Sequence, residues 1–415
     1  MSGGSRRFAV VGAGPSGLYA VDRLSRLDPV AQIDVFDRYP SPCGLVRYGV
    51  APDHQGTKAV SRVLERSLER RNVRFFGNVD IGSDVSLAEL REWYDGVLIA
   101  VGVGRDRRLG IPGEDLGQVV GSWDFISWIN GRPGDDRAPA DLSAARNVVV
   151  VGLGNVALDV ARLLLKRGDG GSSDVMPAAA AALAAAPLER VTIVGRGSIE
   201  DARFGAAELG ELLSLPGIGV WMEGDSADSA GAVGEAIRTS VRSGSPELAF
   251  RFRTAPTAII GNGRAVAVRA RCADREDIIP ADLVITCVGF ACVPFADLDL
   301  RDGRFSNDRN RIDEGLFVAG WAASGPRGTI ASSRNAAFAV ADRMNAEIVA
   351  SSKPGIDPGR VPQAVDLTAW RRVDAAERAA GGGGRVRTKF TTVEAMLNVA
   401  RGGDQKHGDS AAQAY

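Results

Sequence analysis

The strongest constraint on this chain is a strand, a glycine turn and a helix start met in immediate succession, and met twice. Phe8-Ala9-Val10-Val11 is a short apolar run, Gly12-Ala13-Gly14-Pro15-Ser16-Gly17 follows at once, and Leu18, Tyr19, Val21 and Leu24 open a helical period. Gly12 permits the tight turn. Gly14 lets the backbone approach a pyrophosphate, and Gly17 lets the helix pack closely on the strand. The unpaired N–H groups of that helix end supply an anion site. A second apolar run, Ile33 to Phe36, ends in Asp37, twenty residues beyond Gly17. A carboxylate at that place binds a ribose hydroxyl.

The pattern returns about 140 residues later. Asn147-Val148-Val149-Val150-Val151 reads as a parallel strand buried on both faces, and Gly152-Leu153-Gly154-Asn155-Val156-Ala157 leads into a helix over about 158–165. Ala157 stands for the third glycine, a permitted variant. The next strand, Val191 to Val194, leads to Arg196 where the first unit has Asp37. A cation there favours a ribose 2′-phosphate, hence NADP rather than NAD. Two complete fingerprints imply two dinucleotide sites in an α/β chain.

Length and charge narrow the class. The 415 residues are two to three domains' worth of chain. A net charge of −1 gives no bulk attraction to nucleic acid or to a membrane surface. The apolar runs are strand-sized, too short to span a bilayer. The opening Met-Ser-Gly-Gly-Ser-Arg-Arg is no secretory signal. Cys43, Cys272, Cys287 and Cys292 form no CxxC pair, which argues against a metal cluster and a dithiol centre and agrees with a reducing cytoplasm.

Tyr39 to His54, rich in Pro and Gly, reads as an extended loop packed against a flat apolar ring system. Residues 57–71 follow a helical period with Val60, Val63, Leu64 and Leu68 on one face. Residues 74–77 and 79–81 read as strand and turn, and Tyr94 to Gly102 as a buried strand ending in glycine. The alanine run up to Ala186 is expected to be helical filler. Residues 248–286 look like hairpin material, Phe250 and Phe252 alternating with Arg251 and Arg253, up to a buried strand from Leu283. Gly325 to Ile330 leads into a helix carrying Ala337, Phe338, Val340, Ala341 and Met344, assigned to the distal end of the first nucleotide. Phe390 to Val399 reads as a packed segment beyond a flexible 381–384, and Gly402 to Tyr415, with His407, as a disordered tail.

Three stretches carry a resemblance: Gly44-Leu45-Val46-Arg47-Tyr48-Gly49-Val50-Ala51-Pro52-Asp53-His54, Ile111-Pro112-Gly113-Glu114-Asp115 and Gly154-Asn155-Val156-Ala157-Leu158-Asp159-Val160-Ala161-Arg162. With Thr388-Lys389-Phe390-Thr391-Thr392-Val393-Glu394, they make the chain similar to the adrenodoxin reductase family, which includes bacterial ferredoxin–NADP reductases of the same fold. The likeness runs from about residue 6 to 401. It implies two Rossmann-like, three-layer (β/β/α) dinucleotide-binding domains, the NADP domain inserted into the FAD domain. The expected boundaries are 1–103 and 316–401 for the FAD domain, 104–315 for the insertion and 402–415 for the tail. The resemblance assigns FAD to Gly44 and to Ser16, Asp37, Leu45, Ile81, Trp321, Gly328, Thr329 and Ile330, and NADP to Arg107, Gly154, Asn155, Val156, Arg196 and Glu208. His54 and Glu208 match positions near the nicotinamide, where they orient it and relay a proton. No metal site is expected.

The resemblance also implies the reaction: hydride from NADPH to FAD, then single electrons to a [2Fe–2S] ferredoxin feeding an oxygenase or cytochrome P450, in a monomer. An acidic ferredoxin calls for a local basic face, with Arg238, Arg242, Arg251 and Arg253 as candidates. The chain departs from the family in places. Two consecutive arginines are usual where it has Arg196-Gly197, which leaves NADH open as a donor. Basic residues and Gly-Thr-Asn are replaced by Ala322-Ala323-Ser324 and Ala331-Ser332-Ser333, and Cys43 holds a usually aromatic position. Rival readings are an NADH-preferring flavoprotein reductase or flavin monooxygenase acting on a small oxidant, and a non-catalytic nucleotide-binding subunit. A disulfide reductase lacks its paired cysteines.

Overall fold

The computed structural model describes residues 5–135, 137–168, 171–223, 231–272 and 275–403. The tail expected beyond Gly402 lies almost wholly outside them, His407 included.

Two largely parallel sheets organise the molecule, and each carries one of the glycine turns at the end of a central strand. In the first the strand order is Arg311–Asp313, Leu316–Val318, Gly96–Ile99, Arg7–Val11, Gln32–Asp37, Val73–Gly77. All pairs are parallel except Arg311–Asp313 with Leu316–Val318. The sheet thus takes strands from both ends of the chain, and it resumes at Arg311, ahead of the 316 boundary expected from sequence. One face packs on the helices Pro15–Leu27 and Ile330–Glu347, which lie side by side. Leu18, Val21, Leu24, Ala337, Val340, Ala341 and Met344 form that core. The other face buries Phe36, Phe76, Ile99, Phe305 and Val318.

The second sheet runs Val119–Gly121, Leu283–Thr286, Asn147–Val151, Arg190–Val194, Glu247–Arg251, Gly219–Glu223, parallel throughout. Helices cover one face. A three-stranded antiparallel sheet, Thr254–Gly261, Ala265–Cys272 and Arg275–Pro280, covers the other through Ile259, Val268, Ala270 and Ile279. This is the β/β/α layering expected from sequence. The chain passes between the two units along Arg105–Asp106 and Phe290–Ala291, which pair with each other antiparallel.

Four local expectations need correction. The loop from Tyr39 is interrupted by a short helix, Gly44–Tyr48, and ends in another, Gln55–Lys58. The single helix of 57–71 is instead Ser61–Glu65 followed by a tighter 3-10 turn, Arg66–Glu69. That keeps Leu64 and Leu68 inside and turns Val63 out, 56 % exposed. The Phe/Arg alternation near 250 marks no hairpin. Leu248, Ala249 and Phe250 are consecutive and fully buried, as a two-sided parallel strand requires. Antiparallel pairing begins only at Thr254. Residues 79–81 contribute just an isolated bridge, Ile81 with Val85. The alanine-rich helix Pro177–Ala185 buries Ala179 and Leu183, four apart, and is packing as expected.

Candidate active site

The first glycine turn is built as its residue types demand. Gly12 has φ +105°, and a Cβ there would lie 2.5 Å from the Ala100 oxygen; one at Gly17 would lie 2.0 Å from the Gly12 oxygen. Gly14 faces open space, with no atom within 4 Å of where its Cβ would be. Asp37 closes the turn from the neighbouring strand. Its carboxylate accepts the Ala13 N–H at 2.8 Å and the Tyr39 N–H at 2.9 Å. Burial pushes its pKa up to about 6 against the pull of those two donors.

A cleft with about 1380 Å³ of free space, open to solvent, runs from this turn. Of the residues singled out from sequence, Gly12, Gly14, Ser16, Asp37, Gly44, Leu45, Ile81, Trp321, Thr329 and Ile330 all line it. Gly328 stands just outside, where a Cβ would meet Ser332 Oγ at 2.4 Å. Thr329 caps the helix behind it by accepting the Ser332 N–H. Tyr39, Tyr48 and Phe295 also line the cleft, as do Trp123 and Arg132, contributed by the inserted unit. Trp123, Phe290 and Trp321 form an aromatic row, with ring centres 5.7 and 6.2 Å apart. The open glycine, the carboxylate beside it and the long apolar wall are what an FAD site requires.

The Gly44–Tyr48 helix is stitched to this turn. The Cys43 N–H donates to the Ala13 oxygen at 2.8 Å, and a Cβ on Gly44 would sit 3.2 Å from Gly14 Cα. Cys43 itself is buried, with Sγ 3.8 Å from Glu65 Oε1, and burial together with that carboxylate drives its pKa far up. It is a structural thiol, and none of the four cysteines is paired. Among the described residues no His/Cys/Asp/Glu cluster could hold a metal.

The same segment then runs into the second unit. Asp53 receives Arg162 Nε and Nη2, both at 2.9 Å, and Lys166 Nζ at 2.7 Å. Burial alone would raise its pKa, but these cations hold it below the usual carboxylate range. Arg162 and Lys166 belong to the helix that starts at the second glycine turn and to its C-cap. His54 follows: Nε2 lies 3.1 Å from Glu211 Oε2, and Nδ1 lies 3.8 Å from Asp159 Oδ1. The histidine therefore touches both helices that flank the second nucleotide position. Its carboxylate partner is Glu211 rather than Glu208, one turn earlier on the Ala206–Leu213 helix. Their i, i+3 spacing put both on one helix face, and that was the signal available in the sequence.

At the second turn, Gly152 has φ +146°, with the Cys287 oxygen 2.4 Å from a would-be Cβ, while Gly154 is open. Asn155 Oδ1 accepts the Gly205 N–H at 3.3 Å, and Val156 packs on the core beneath. Glu208 sits in the first turn of the adjoining helix, and Arg196 is exposed beyond the end of the Arg190–Val194 strand. Arg107 lies at the crossing between units, its guanidinium donating to the Phe290 and Asp302 oxygens at 3.0 and 3.1 Å.

Of the four arginines proposed as a basic docking face, two are engaged within the inserted unit. Arg242 donates to four backbone oxygens, those of Ile218, Ser240, Leu213 and Leu215. Arg251 is largely buried and pairs with Glu223 and Asp277. The Arg253 N–H donates to the Gly197 oxygen at 2.7 Å, which places it beside the second nucleotide turn. Arg238, on the Ala232–Ser240 helix, and Arg253, in a loop, are both exposed.

Residues 6–214 match the family model described as pyridine nucleotide-disulphide oxidoreductase. The chain is 36 % identical over 438 residues to the mitochondrial NADPH:adrenodoxin oxidoreductase of Drosophila melanogaster, covering 95 % of this chain and 94 % of that protein. It is 34 % identical over 453 residues to NADPH-ferredoxin reductase FprA of Mycobacterium tuberculosis, covering 95 % and 99 %. The solved structure of Mycobacterium tuberculosis FprA in complex with NADPH superposes with a TM-score of 0.88 at 32 % identity, over 96 % of this chain and all of that one. This chain belongs to the pyridine nucleotide-disulphide oxidoreductase family, among the adrenodoxin reductases and FprA-type reductases.

Proposed function

We propose that this chain is an FAD-dependent NADPH–ferredoxin reductase. One observation carries the reading beyond the family. A single segment, Cys43 to His54, is bonded to the first glycine turn at one end and, through Asp53, to the helix of the second turn at the other. Two dinucleotides held at these turns meet over that segment.

FAD, when bound, supplies two-electron acceptance from a nicotinamide and one-electron release to an iron–sulfur centre. The chain's own residues position and shield. Gly14 and Ser16 receive the FAD pyrophosphate, Asp37 its ribose, and Leu45, Trp321, Thr329 and Ile330 its ring end. Gly152, Gly154, Asn155 and Val156 receive the NADPH pyrophosphate, and Glu208 and Arg107 lie along the path between the two. His54 orients the nicotinamide and holds a proton at Nδ1 or Nε2, with Glu211 fixing the ring. No protein nucleophile takes part. The electron acceptor is a [2Fe–2S] ferredoxin, docking by way of Arg238. The same reading takes the protein as a cytoplasmic monomer; among the described residues no helix is long and apolar enough to cross a membrane.

The test is reduction of the bound flavin by NADPH and NADH in parallel, followed by addition of a [2Fe–2S] ferredoxin. Fast bleaching by NADPH and stoichiometric ferredoxin reduction are expected. Equal rates with NADH, or rapid oxygen use without any ferredoxin, would favour the small-oxidant reductase instead.

A further inference from the structure

The strand end that selects the second nucleotide carries one arginine, and its neighbour cannot carry another. A Cβ on Gly197 would lie 2.8 Å from Asp201 Cβ, so the loop as folded leaves no room there for a side chain. A lone exposed guanidinium is a weak reader of a phosphate dianion, because solvent and salt screen it. The loop brings a second one from further along. Residues 195–205 fold back over the glycine turn, and the Arg203 N–H donates to the Leu153 oxygen at 2.7 Å, forming a bridge between Gly154 and Arg203. Leu153 is thereby held from two sides. Its side chain lies against Gly195, where a Cβ would meet Leu153 Cγ at 2.3 Å, and its carbonyl is bonded by Arg203. Arg196 and Arg203 rise from the two flanks of one residue, at the turn where the adenosine end of a dinucleotide lies. Both are exposed.

The loop also carries acids, which would oppose an anionic ligand. Ser198 N–H and Oγ donate to Asp201 Oδ2 at 2.9 and 3.0 Å and tie that carboxylate into its own turn. Those bonds hold the Asp201 carboxyl below its ordinary range, with Arg253 and Arg203 adding to the effect; Ser198 and then Arg253 do the same for Glu200. Arg253 is anchored by its N–H to the Gly197 oxygen at the start of the same loop. Arg196, Arg203 and Arg253 thus outnumber the two acids, and the loop keeps a net positive charge beside the turn.

We propose that Arg203 is a specificity-determining residue of this enzyme. With Arg196 it forms a two-sided clamp on the ribose 2′-phosphate and so distinguishes NADPH from NADH. This rests on the reading of the second turn as the NADPH site. Because Arg203 is fixed by its backbone N–H, truncating the side chain leaves the loop in place.

The experiment is calorimetric titration of the FAD-loaded protein with 2′,5′-ADP and, separately, with 5′-AMP, which lacks the 2′-phosphate. Arg203→Gln should weaken 2′,5′-ADP about tenfold or more, the effect of losing one charge-assisted bond, and leave 5′-AMP unchanged. It should also flatten the salt dependence of 2′,5′-ADP binding. Arg203→Lys should restore part of the loss. Unchanged 2′,5′-ADP affinity in Arg203→Gln, or equal weakening of both ligands, overturns the assignment. Either result can stand while NADPH still reduces the wild-type flavin, so it leaves the proposed function intact. Failure of NADPH to reduce the wild-type flavin removes that function separately.

Discussion

Asp53 and Arg162 join the two nucleotide units by a two-pronged ion pair, 2.9 Å on each prong, with 6 % and 1 % of their side chains exposed. Nothing else in the Cys43 to His54 segment fixes its far end so firmly, and His54 is the next residue. Breaking a buried pair by removing one charge costs more than the pair contributes, because the partner is left buried and uncompensated.

Asp53→Asn should therefore destabilise the protein by about 3–5 kcal/mol. The wild-type carboxyl is held below its ordinary range, so its contribution is full above the unfolded pKa, near 4, and is lost progressively as pH falls from there through the depressed folded pKa. Calorimetry at pH 7 and pH 3.5 should show the gap between wild type and variant only beginning to narrow at the lower pH, by under about 1 kcal/mol. A constant gap would argue against the ion pair as the source.

His54 and Glu211 should behave as one unit in hydride transfer. His54→Ala and Glu211→Gln should each slow stopped-flow reduction of the flavin by roughly tenfold, the lower part of the range for positioned acid–base groups. The double variant should be no slower than either single one, since both remove the same contact. Glu208→Gln should act on NADPH affinity instead. Unaltered reduction in His54→Ala would remove the proposed role.

FAD retention should depend on Asp37. Its carboxyl is raised to about 6 in the folded protein, so the carboxylate that accepts ribose hydroxyls is depleted below that pH. FAD dissociation measured by fluorescence should slow as pH rises from 5 to 7. In Asp37→Asn the rate should be faster throughout and flat with pH. The raised pKa also means that the empty protein loses stability as pH rises from about 4 to 6, the opposite sign to Asp53.

The two arginines Arg238 and Arg242 should separate cleanly. Arg238→Glu should lower kcat/KM for ferredoxin about tenfold at low salt and reduce its ionic-strength dependence, as a docking charge does. Arg242→Ala frees four backbone oxygens and should lower the melting temperature, with flavin reduction and ferredoxin turnover per folded molecule unchanged. A selective ferredoxin defect in Arg242→Ala would restore it to the docking face.

The legible parts of this molecule were those set by short-range rules. Strand, glycine turn and helix are local, so both fingerprints and the carboxylate at Asp37 could be read directly. The cleft-lining residues from Leu45 to Ile330 were reached only through the family resemblance, because they come together from segments far apart in sequence. Arg242 and Arg251 were misplaced for the same reason. Whether a guanidinium meets solvent or a row of carbonyls is decided by chain segments far away in sequence. The same holds for Trp123 and Arg132, which reach the first cleft from the other unit, and for Asp53, whose partner lies 109 residues on. Val63 faces out against a periodicity that had it inside, because the Ser61–Glu65 helix is barely more than one turn and buries only Leu64.

The paired strands Arg105–Asp106 and Phe290–Ala291 make the inserted unit's entrance and exit adjacent. A module whose two ends touch can be exchanged, shortened or elaborated without redrawing the scaffold that receives it. It also hangs from a narrow waist, so its tilt against the scaffold is set by outlying bolts such as Asp53 with Arg162 rather than by the waist itself. Loosening one bolt would change the angle at which the two coenzymes face each other before it changed either pocket.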